Sequence, residues 1–181
     1  MSEADERSRF EAMFRATYDR VLAYALRRTD RGDAEDVVAE TYTIAWRRFA
    51  IVPADPLPWL YAVARRTLAN SRRSGRRRTQ LASKLAAELH PMADVESDPS
   101  EQLEDASVMR AALSALSGWD REALMLVPWE GLDNDRASMV FGISSQAFAV
   151  RLHRARKRLE AEIQLLSAKS VLEDRASREE R

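Results

Sequence analysis

The 181-residue chain contains no cysteine, which excludes disulfide bonds and thiolate metal sites. Its only histidines, His90 and His153, lie far apart without partners at ligand spacing, so no structural zinc site is predicted. No cofactor is expected either. The longest apolar run, 123–129, is far shorter than the ~20 residues that a membrane span needs. The charged N-terminus MSEADERSRF is unlike a secretory signal. These absences predict a cytoplasmic protein without membrane insertion.

The formal net charge is zero, yet the charges are segregated along the chain. Residues 65–84 contain eight basic residues and no acid, whereas residues 85–105 contain seven acids and no Lys or Arg. Five basic residues then crowd into RLHRARKRL at 151–159. A bare basic run is most often a solvated helix face, but two basic patches separated by an acidic stretch indicate surfaces for anionic partners.

Apolar residues at spacings of three and four predict three helices in the first half of the chain. The first spans 10–28, the second spans 34–49 with Asp33 as its cap, and the third opens near Trp59 and runs into the arginine cluster. IVPADPLP at 51–58 contains three prolines and is predicted to be a loop. The three amphipathic helices predict a small helical domain with one shared core.

An acidic, proline-containing stretch, ELHPMADVESDPS at 88–100, is poor in large apolar residues and is predicted to be a flexible linker. Helical periodicity resumes beyond it, and no segment alternates for long enough to predict a strand. The predicted fold is all-α, with two small helical domains joined by this acidic linker. The first is a three-to-four-helix bundle at 8–80, followed by a linker at 81–104, a helix-turn-helix domain at 105–165 and a charged tail at 166–181.

The run 131–159 has the turn residues of a helix-turn-helix. Asp133 is predicted to cap a short first helix, and Gly142 to adopt the left-handed turn conformation that lets a second helix start at once. Ser144 or Ser145 is predicted to cap that second helix.

The second helix is predicted to have a buried stripe and a polar face opposite it. The stripe comprises Phe148, Leu152, Ala155, Leu159 and Ile163. The opposite face presents glutamine, histidine and basic residues, which bind phosphates and base edges. Because the turn and cap residues of a helix-turn-helix precede it, this helix is predicted to enter a major groove of DNA.

Three motifs carry a resemblance to a known family. ALSALSGWDREALMLVPWEGLDNDRASMVFGISSQAFAVRLHRARKRL at 112–159 resembles region 4 of a sigma factor. DAEDVVAETYTIAWRR at 33–48 resembles region 2.2, and WLYAVARRTLANSRRSGRRR at 59–78 resembles regions 2.3 and 2.4. Together the motifs resemble the extracytoplasmic-function (ECF) sigma factors of the sigma-70 family, which have regions 2 and 4 only.

The resemblance implies a non-enzymatic RNA polymerase sigma factor that binds core polymerase and directs promoter-specific initiation. The implied partners are core RNA polymerase (the β′ clamp helices and the β flap), promoter DNA and an anti-sigma factor. The residues that match the polymerase-docking surface are Asp33, Glu35, Asp36, Val38, Glu40 and Thr41, with Val38 and Thr41 expected to be exposed. Those that match −10 recognition are Arg65, Arg66, Asn70, Arg73, Arg76 and Arg77. Those that match −35 recognition are Ser145, Gln146, Val150, Arg151, His153, Arg154 and Lys157.

The family builds a pocket for an unstacked base in the loop that corresponds to 50–57. Two nearby aromatic residues could stack on bases. Trp59 is predicted to belong to the core rather than to the DNA-binding surface, and Tyr61 fits either role.

The chain departs from the family pattern at several positions. Arg66 and Asn70 stand where Asn and Asp are usual, which predicts an unusual −10 preference. Ala149 and Val150 replace a basic and a polar residue, so −35 recognition is expected to depend more on the remaining polar side chains. At 137–138, Ala-Ser replaces the usual Ile-Ala, which predicts looser packing of the first helix of the helix-turn-helix.

Two other function classes compete with the sigma factor. One is a helix-turn-helix transcriptional regulator that does not dock on core polymerase. The other is an enzyme, which the lack of a Gly-rich phosphate loop or a nucleophile–base signature disfavours. A separate hypothesis concerns regulation: the acidic stretch 85–105, with Asp94, Glu96 and Asp98, masks the basic surfaces in the free protein.

Overall fold

The computed structural model describes residues 3–85 and 101–179, with side chains over 4–71, at 73 and over 108–169. Within these ranges the chain is helical and contains no strand, which confirms the all-α prediction. A short 3₁₀ helix at Phe49–Ile51 precedes the third α-helix. The α-helices are α1 (Glu3–Leu26), α2 (Arg31–Arg47), α3 (Leu57–Leu85), α4 (Glu101–Ala115), α5 (Gly118–Leu126), α6 (Asn134–Phe141) and α7 (Ser145–Glu179).

The chain divides into two compact units. One comprises Met1–Pro91 and Met139–Gly142, and the other comprises Met92–Ser138 and Ile143–Arg181. Most of the predicted linker, including the proposed masking residues Asp94, Glu96 and Asp98, lies outside the described residues. The exact domain boundaries therefore stay predictions, whereas the segment predicted as a charged tail continues α7 to Glu179.

The core of the first unit is formed where α1, α2 and α3 pack together. Tyr24 of α1 stacks on Tyr61 of α3 with ring centroids 4.7 Å apart, and both side chains are fully buried. Tyr61 is therefore a core residue and is not exposed for stacking on a base. Trp59, predicted to lie in the core, is only partly buried.

The start of α2 differs from the prediction. The helix begins at Arg31, three residues earlier than expected, and its N-cap is Asp30. The Asp30 side chain accepts a hydrogen bond of 3.0 Å from the backbone N–H of Asp33, so Asp33 is the capped residue and not the cap. TDRGD contains two aspartates three residues apart, and either satisfies the sequence preference for an N-cap.

The start of α3 shows the same kind of error, because this helix also begins earlier than predicted and the proline-rich loop is shorter. Helix α3 begins at Leu57, and Pro58 lies in its first turn, where proline lacks only an N–H that would have no partner within the helix. The Pro56 carbonyl accepts a hydrogen bond of 2.8 Å from Leu60 N–H. Leu57 and Pro58 are buried, so the end of the predicted loop belongs to the core.

In the second unit, α4 and α5 pack against α7. Arg121 closes the end of α4: its guanidinium donates hydrogen bonds to the carbonyl oxygens of Leu113 (2.7 Å), Ser114 (2.7 Å) and Leu116 (3.2 Å). These carbonyls belong to the last turn of α4 or follow it, where a helix leaves acceptors without intrahelical partners. The guanidinium of the partly buried Arg121 therefore fixes the tight α4–α5 turn that brings α5 alongside α7.

None of the described helices is long and apolar enough to cross a membrane.

Candidate nucleic-acid and protein interfaces

The turn between α6 and α7 has the geometry that the sequence predicts. Asp133 caps α6 by accepting a hydrogen bond of 2.8 Å from Arg136 N–H, and Ser144 caps α7 by accepting one of 3.2 Å from Ala147 N–H. Gly142 adopts a φ of 67°, the left-handed conformation that side chains disfavour. A Cβ at this glycine would meet no other group within 4 Å, so the backbone conformation, not space, is the reason for glycine here.

Ser138, the departure in α6, is buried without leaving its hydroxyl unsatisfied. The side chain is 5% exposed and donates a hydrogen bond of 2.7 Å to the Asp135 carbonyl one turn earlier. Ala137 beside it is fully buried. The smaller pair at 137–138 is thus accommodated in α6.

Helix α7 separates its apolar and polar side chains as predicted. Phe148, Leu152 and Ala155 are buried, and Leu159 and Ile163 are partly buried. Val150 is 47% exposed, an apolar residue in the middle of the polar face. The candidate −35 residues Gln146, Val150, Arg151, His153, Arg154 and Lys157 are all exposed, and Ser145 is partly exposed.

One flank of α7 lies against the start of α5 and forms a groove of about 560 Å³ that is lined by both polar and apolar side chains. Arg151 places its guanidinium 5.4 Å from the centre of the Trp119 ring. Arg158 donates a hydrogen bond of 2.8 Å to the Asp120 carboxylate, which is almost wholly buried. Arg154 lines the same groove.

The opposite flank of α7 borders an apolar groove of about 420 Å³ in the second unit. Met109 and Trp129, 42% and 50% exposed, contribute to its wall, and the stem of Arg156 lies at its edge. The two flanks of α7 therefore differ in chemistry: one holds three arginines, and the other is mostly apolar.

The exposed face of α2 is acidic at its start. Asp33, Asp36 and Glu40 follow one another at spacings of three and four, which places them on one stripe, and all three are exposed. Glu35 lies to the side of this stripe and pairs with Arg31 at 3.2 Å across one helical turn.

The expected exposure of Val38 and Thr41 is wrong. Val38 is 3% exposed and Thr41 is fully buried, with its hydroxyl donating a hydrogen bond of 2.7 Å to the Val37 carbonyl. Both belong to the stripe of α2 that packs into the unit, together with Ala34, Val37 and Ala45. They seat the helix and do not present a contact surface.

The candidate −10 residues lie on α3. Arg66, Asn70 and Arg73 share one exposed stripe at spacings of four and three, and Arg73 donates a hydrogen bond of 3.0 Å to the Asn70 side-chain oxygen. Arg65 is half-buried. The backbone of Arg76 and Arg77 continues α3, and their side chains lie outside those that the structure describes.

Within the candidate base-pocket segment 50–57, Ile51 is 64% exposed and Leu57 is buried. Among the described residues, no group of three or more His, Asp or Glu side chains is placed to hold a metal ion.

Sequence reasoning missed Asp120 and Trp119. Ser117, three residues before Asp120, caps α5 by accepting a hydrogen bond of 3.1 Å from Asp120 N–H, and the Ser-x-x-Asp spacing is a recognisable helix-start signal. That signal locates α5, but it does not reveal the partner of Asp120, because Arg158 lies 38 residues further along the chain.

Comparison with protein families identifies both halves of the chain. The family model Sigma-70 region 2 matches residues 13–78, and Sigma-70, region 4 matches residues 107–159. The chain belongs to the ECF sigma factors. It is an RNA polymerase sigma factor, a class that binds core polymerase and directs promoter-specific initiation, and this supports the principal prediction over the alternative of a plain helix-turn-helix regulator.

Curated relatives agree along most of the chain. ECF RNA polymerase sigma factor SigL of Mycobacterium tuberculosis is 31% identical over 163 residues, covering 86% of this chain and 91% of SigL. The probable RNA polymerase sigma factor RfaY of Xanthomonas campestris is 34% identical over 154 residues, covering 82% of this chain but only 38% of RfaY. A solved structure of the sigma factor RpoE, in complex with the anti-sigma factor NepR from Bartonella quintana, has the same fold, with a TM-score of 0.62, 23% identity and coverage of 86% of this chain and 96% of RpoE.

Proposed function

We propose that this sigma factor docks on core polymerase through the acidic stripe of α2 and recognises its promoter through α3 and α7. The observation that carries the proposal is that each of these helices buries one stripe and exposes a charged one. The exposed stripe is acidic over Asp33, Asp36 and Glu40 of α2, and it is basic over the candidate DNA-binding residues of α3 and α7. The acidic stripe suits a protein partner, and the two basic stripes suit nucleic acid.

The proposed docking surface for the β′ clamp helices is Asp33, Asp36 and Glu40, with Glu35 at its edge. Acids in the first turns of a helix also offset the helix dipole, which would explain Asp33 and Glu35 without any partner. Glu40 lies more than two turns into α2, where that effect has faded, and it continues the same stripe. Val38 and Thr41 support the surface from beneath. The β flap is the second proposed polymerase contact.

The proposed −10 surface is the stripe of Arg66, Asn70 and Arg73, extended in sequence by Arg65, Arg76 and Arg77. Strand separation requires a basic surface for phosphates together with a pocket for an exposed base. The segment 50–57, which ends at the first residue of α3, is the proposed pocket. Because Arg73 already donates to Asn70, a base bound there competes for the same amide oxygen.

The proposed −35 surface is the exposed face of α7. The capped N-terminal end of this helix is proposed to insert into the major groove. Side chains that donate hydrogen bonds contact phosphates and base edges, and the exposed Val150 provides an apolar contact such as a thymine methyl group. The residues proposed to form it are Ser145, Gln146, Val150, Arg151, His153, Arg154 and Lys157.

An anti-sigma factor is a further proposed partner, because the structurally similar RpoE is bound to one. The site of action is proposed to be the cytoplasm, where RNA polymerase is found, and the protein is proposed to carry out no chemistry of its own.

The docking proposal predicts that Asp36→Ala and Glu40→Ala each weaken binding to core polymerase by about fivefold, roughly 1 kcal/mol, because each removes one exposed charge from the contact. Alanine favours helix, so α2 is retained. The measurement is titration of the labelled full chain with core polymerase at physiological salt.

The control is Glu11→Ala, which removes an exposed acid from α1. Glu11 is paired with Arg7 at 3.2 Å, as Glu35 of α2 is with Arg31. It is expected to leave core affinity unchanged. Equal affinities for all three variants and the parent protein would reject the α2 surface.

A further inference from the structure

The ion pair between α5 and α7 joins one buried side chain to one exposed side chain. The Asp120 side chain is 8% exposed, whereas the Arg158 side chain is 59% exposed, and they meet at 2.8 Å. A buried carboxylate is costly unless it is paired with a cation, so Asp120 retains Arg158 more firmly than a surface acid would. In contrast, Arg31–Glu35 joins two exposed side chains within one helix.

Arg158 belongs to a stripe of three arginines on the flank of α7 that lies against α5. Arg151, Arg154 and Arg158 follow one another at spacings of three and four and line one groove. Consecutive residues of α5 engage the two ends of this stripe: Trp119 lies against Arg151, and Asp120 bonds to Arg158. Trp119 is itself seated against the buried Phe148, with ring centroids 6.1 Å apart.

This flank adjoins the face that is proposed to enter the major groove. Arg154 belongs both to that face and to the arginine stripe, one helical turn before Arg158. An Arg158 side chain freed from Asp120 would therefore reach towards the DNA backbone beside the major groove. Phosphate contacts add affinity for any DNA sequence, whereas base contacts add affinity for the correct one. Retaining Arg158 on the protein therefore reduces the sequence-independent part of binding.

We propose that Asp120 is a positioning residue that holds Arg158 away from DNA phosphates and so sharpens discrimination of the −35 element. This inference rests on the proposed role of α7 in −35 recognition and adds a specificity determinant outside the helix-turn-helix. While Arg158 is paired with Asp120, the exposed face of α7 contacts the DNA. The Arg158 charge then does not add to the affinity for non-specific DNA.

The test compares the parent protein with Asp120→Asn, each assembled with core polymerase. The promoter is first identified by mapping transcript starts after overexpression. Binding is then measured over a salt series to a duplex with this promoter and to the same duplex with its −35 element scrambled. Asparagine keeps the shape of Asp120 but not its charge. The slope of log affinity against log salt is expected to become more negative by about 0.9, the value for one added phosphate contact, on both duplexes. The ratio of the two affinities is expected to fall.

Arg158→Gln and Arg156→Gln are the companion variants. Arg158→Gln is expected to leave the salt slope unchanged, because Arg158 does not contact DNA in the parent protein. Arg156→Gln removes a charge from the opposite flank and is also expected to leave the slope unchanged. A merely structural role for Asp120 would weaken binding without making the slope more negative.

Two failures are distinguishable. If the parent holoenzyme binds the promoter and the scrambled duplex equally, the −35 role of α7 falls and this inference falls with it. If the parent discriminates but Asp120→Asn keeps the parental slope, only the inference is overturned. Should Asp120→Asn not fold, Arg158→Gln decides: a slope shallower by about 0.9 would place Arg158 on the DNA and overturn the inference.

Discussion

The direction of the buried hydrogen bond between Tyr42 and Thr17 in the first unit follows from the neighbouring bond of Thr17. Its hydroxyl lies 2.9 Å from Thr17 Oγ1, and Thr17 Oγ1 in turn donates to the Met13 carbonyl at 2.7 Å. Because the threonine proton is used in that second bond, the tyrosine O–H must donate to Thr17. The chain of two bonds joins α2 to α1 across the packed interface. Burial raises the pKa of Tyr42 to about 12.

This raised pKa predicts a loss of stability in alkali. The unfolded tyrosine loses its proton near its ordinary pKa of 10.0, whereas the folded one keeps it up to about 12. Between these values the folded state binds more protons, so the free energy of unfolding falls as pH rises, by up to about 3 kcal/mol, and the contribution is fully present below pH 10.

The variant Tyr42→Phe is expected to flatten this pH dependence. At neutral pH it should lower the free energy of unfolding by about 1 kcal/mol, because one buried hydrogen bond is lost while Thr17 keeps its bond to Met13. Urea unfolding of both proteins between pH 7 and 12 measures the effect. A variant with the same alkaline decline as the parent protein would show that another group causes it.

The residues whose exposure could not be predicted are those whose neighbours come from distant helices. Val38 and Thr41 were expected to lie on the surface, yet α1 and α3 cover that side of α2. Tyr61 was left open between core and DNA binding, and only its stacking on Tyr24 decides the matter. Local spacing gives the direction of a side chain around its own helix but not which other helix covers it.

At the scale of single elements, the helix-turn-helix was predictable almost completely, because its signals are local. Asp133, Gly142 and Ser144 each act within a few residues, and the buried stripe of α7 follows from helical periodicity alone. The ends of α2 and α3 were less predictable for two physical reasons. Two aspartates compete for one capping position in TDRGD, and proline is compatible both with a loop and with the first turn of a helix.

Helix α7 offers a prediction that uses two neighbouring basic residues. Lys157 lies on the face opposite the buried stripe, whereas Arg156 lies at the edge of the apolar groove on one flank. Lys157→Ala is expected to weaken promoter binding and to make the salt slope shallower by about 0.9, since one phosphate contact is lost. The measurement is promoter binding by the holoenzyme over a salt series.

The matched control is Arg156→Ala, which removes the same charge one residue away. It is expected to leave both affinity and slope close to those of the parent protein. Equal losses in the two variants would mean that α7 contributes only a diffuse positive field and does not bind DNA through one defined face.

At the scale of the whole molecule, the formal net charge is zero, but surfaces of opposite charge are proposed to bind different partners. An acidic helix stripe and two basic ones coexist in one chain; those of α2 and α3 are backed by the core of the first unit, and that of α7 by the core of the second. The identity of the family could be predicted from motifs of region 2 and region 4 in the right order, and both family matches confirm it. Promoter sequence depends on the fine placement of a few side chains on α3 and α7, which no motif specifies.

Reconstituted transcription tests the central claim most directly. The purified full chain is added to core RNA polymerase and a DNA fragment that carries a transcript start mapped after overexpression, and run-off products are measured. The expected result is a transcript from that start only when both proteins are present, lost when either the −10 or the −35 element is scrambled. A chain that binds the DNA but neither associates with core polymerase nor starts a transcript would contradict the assignment of these surfaces.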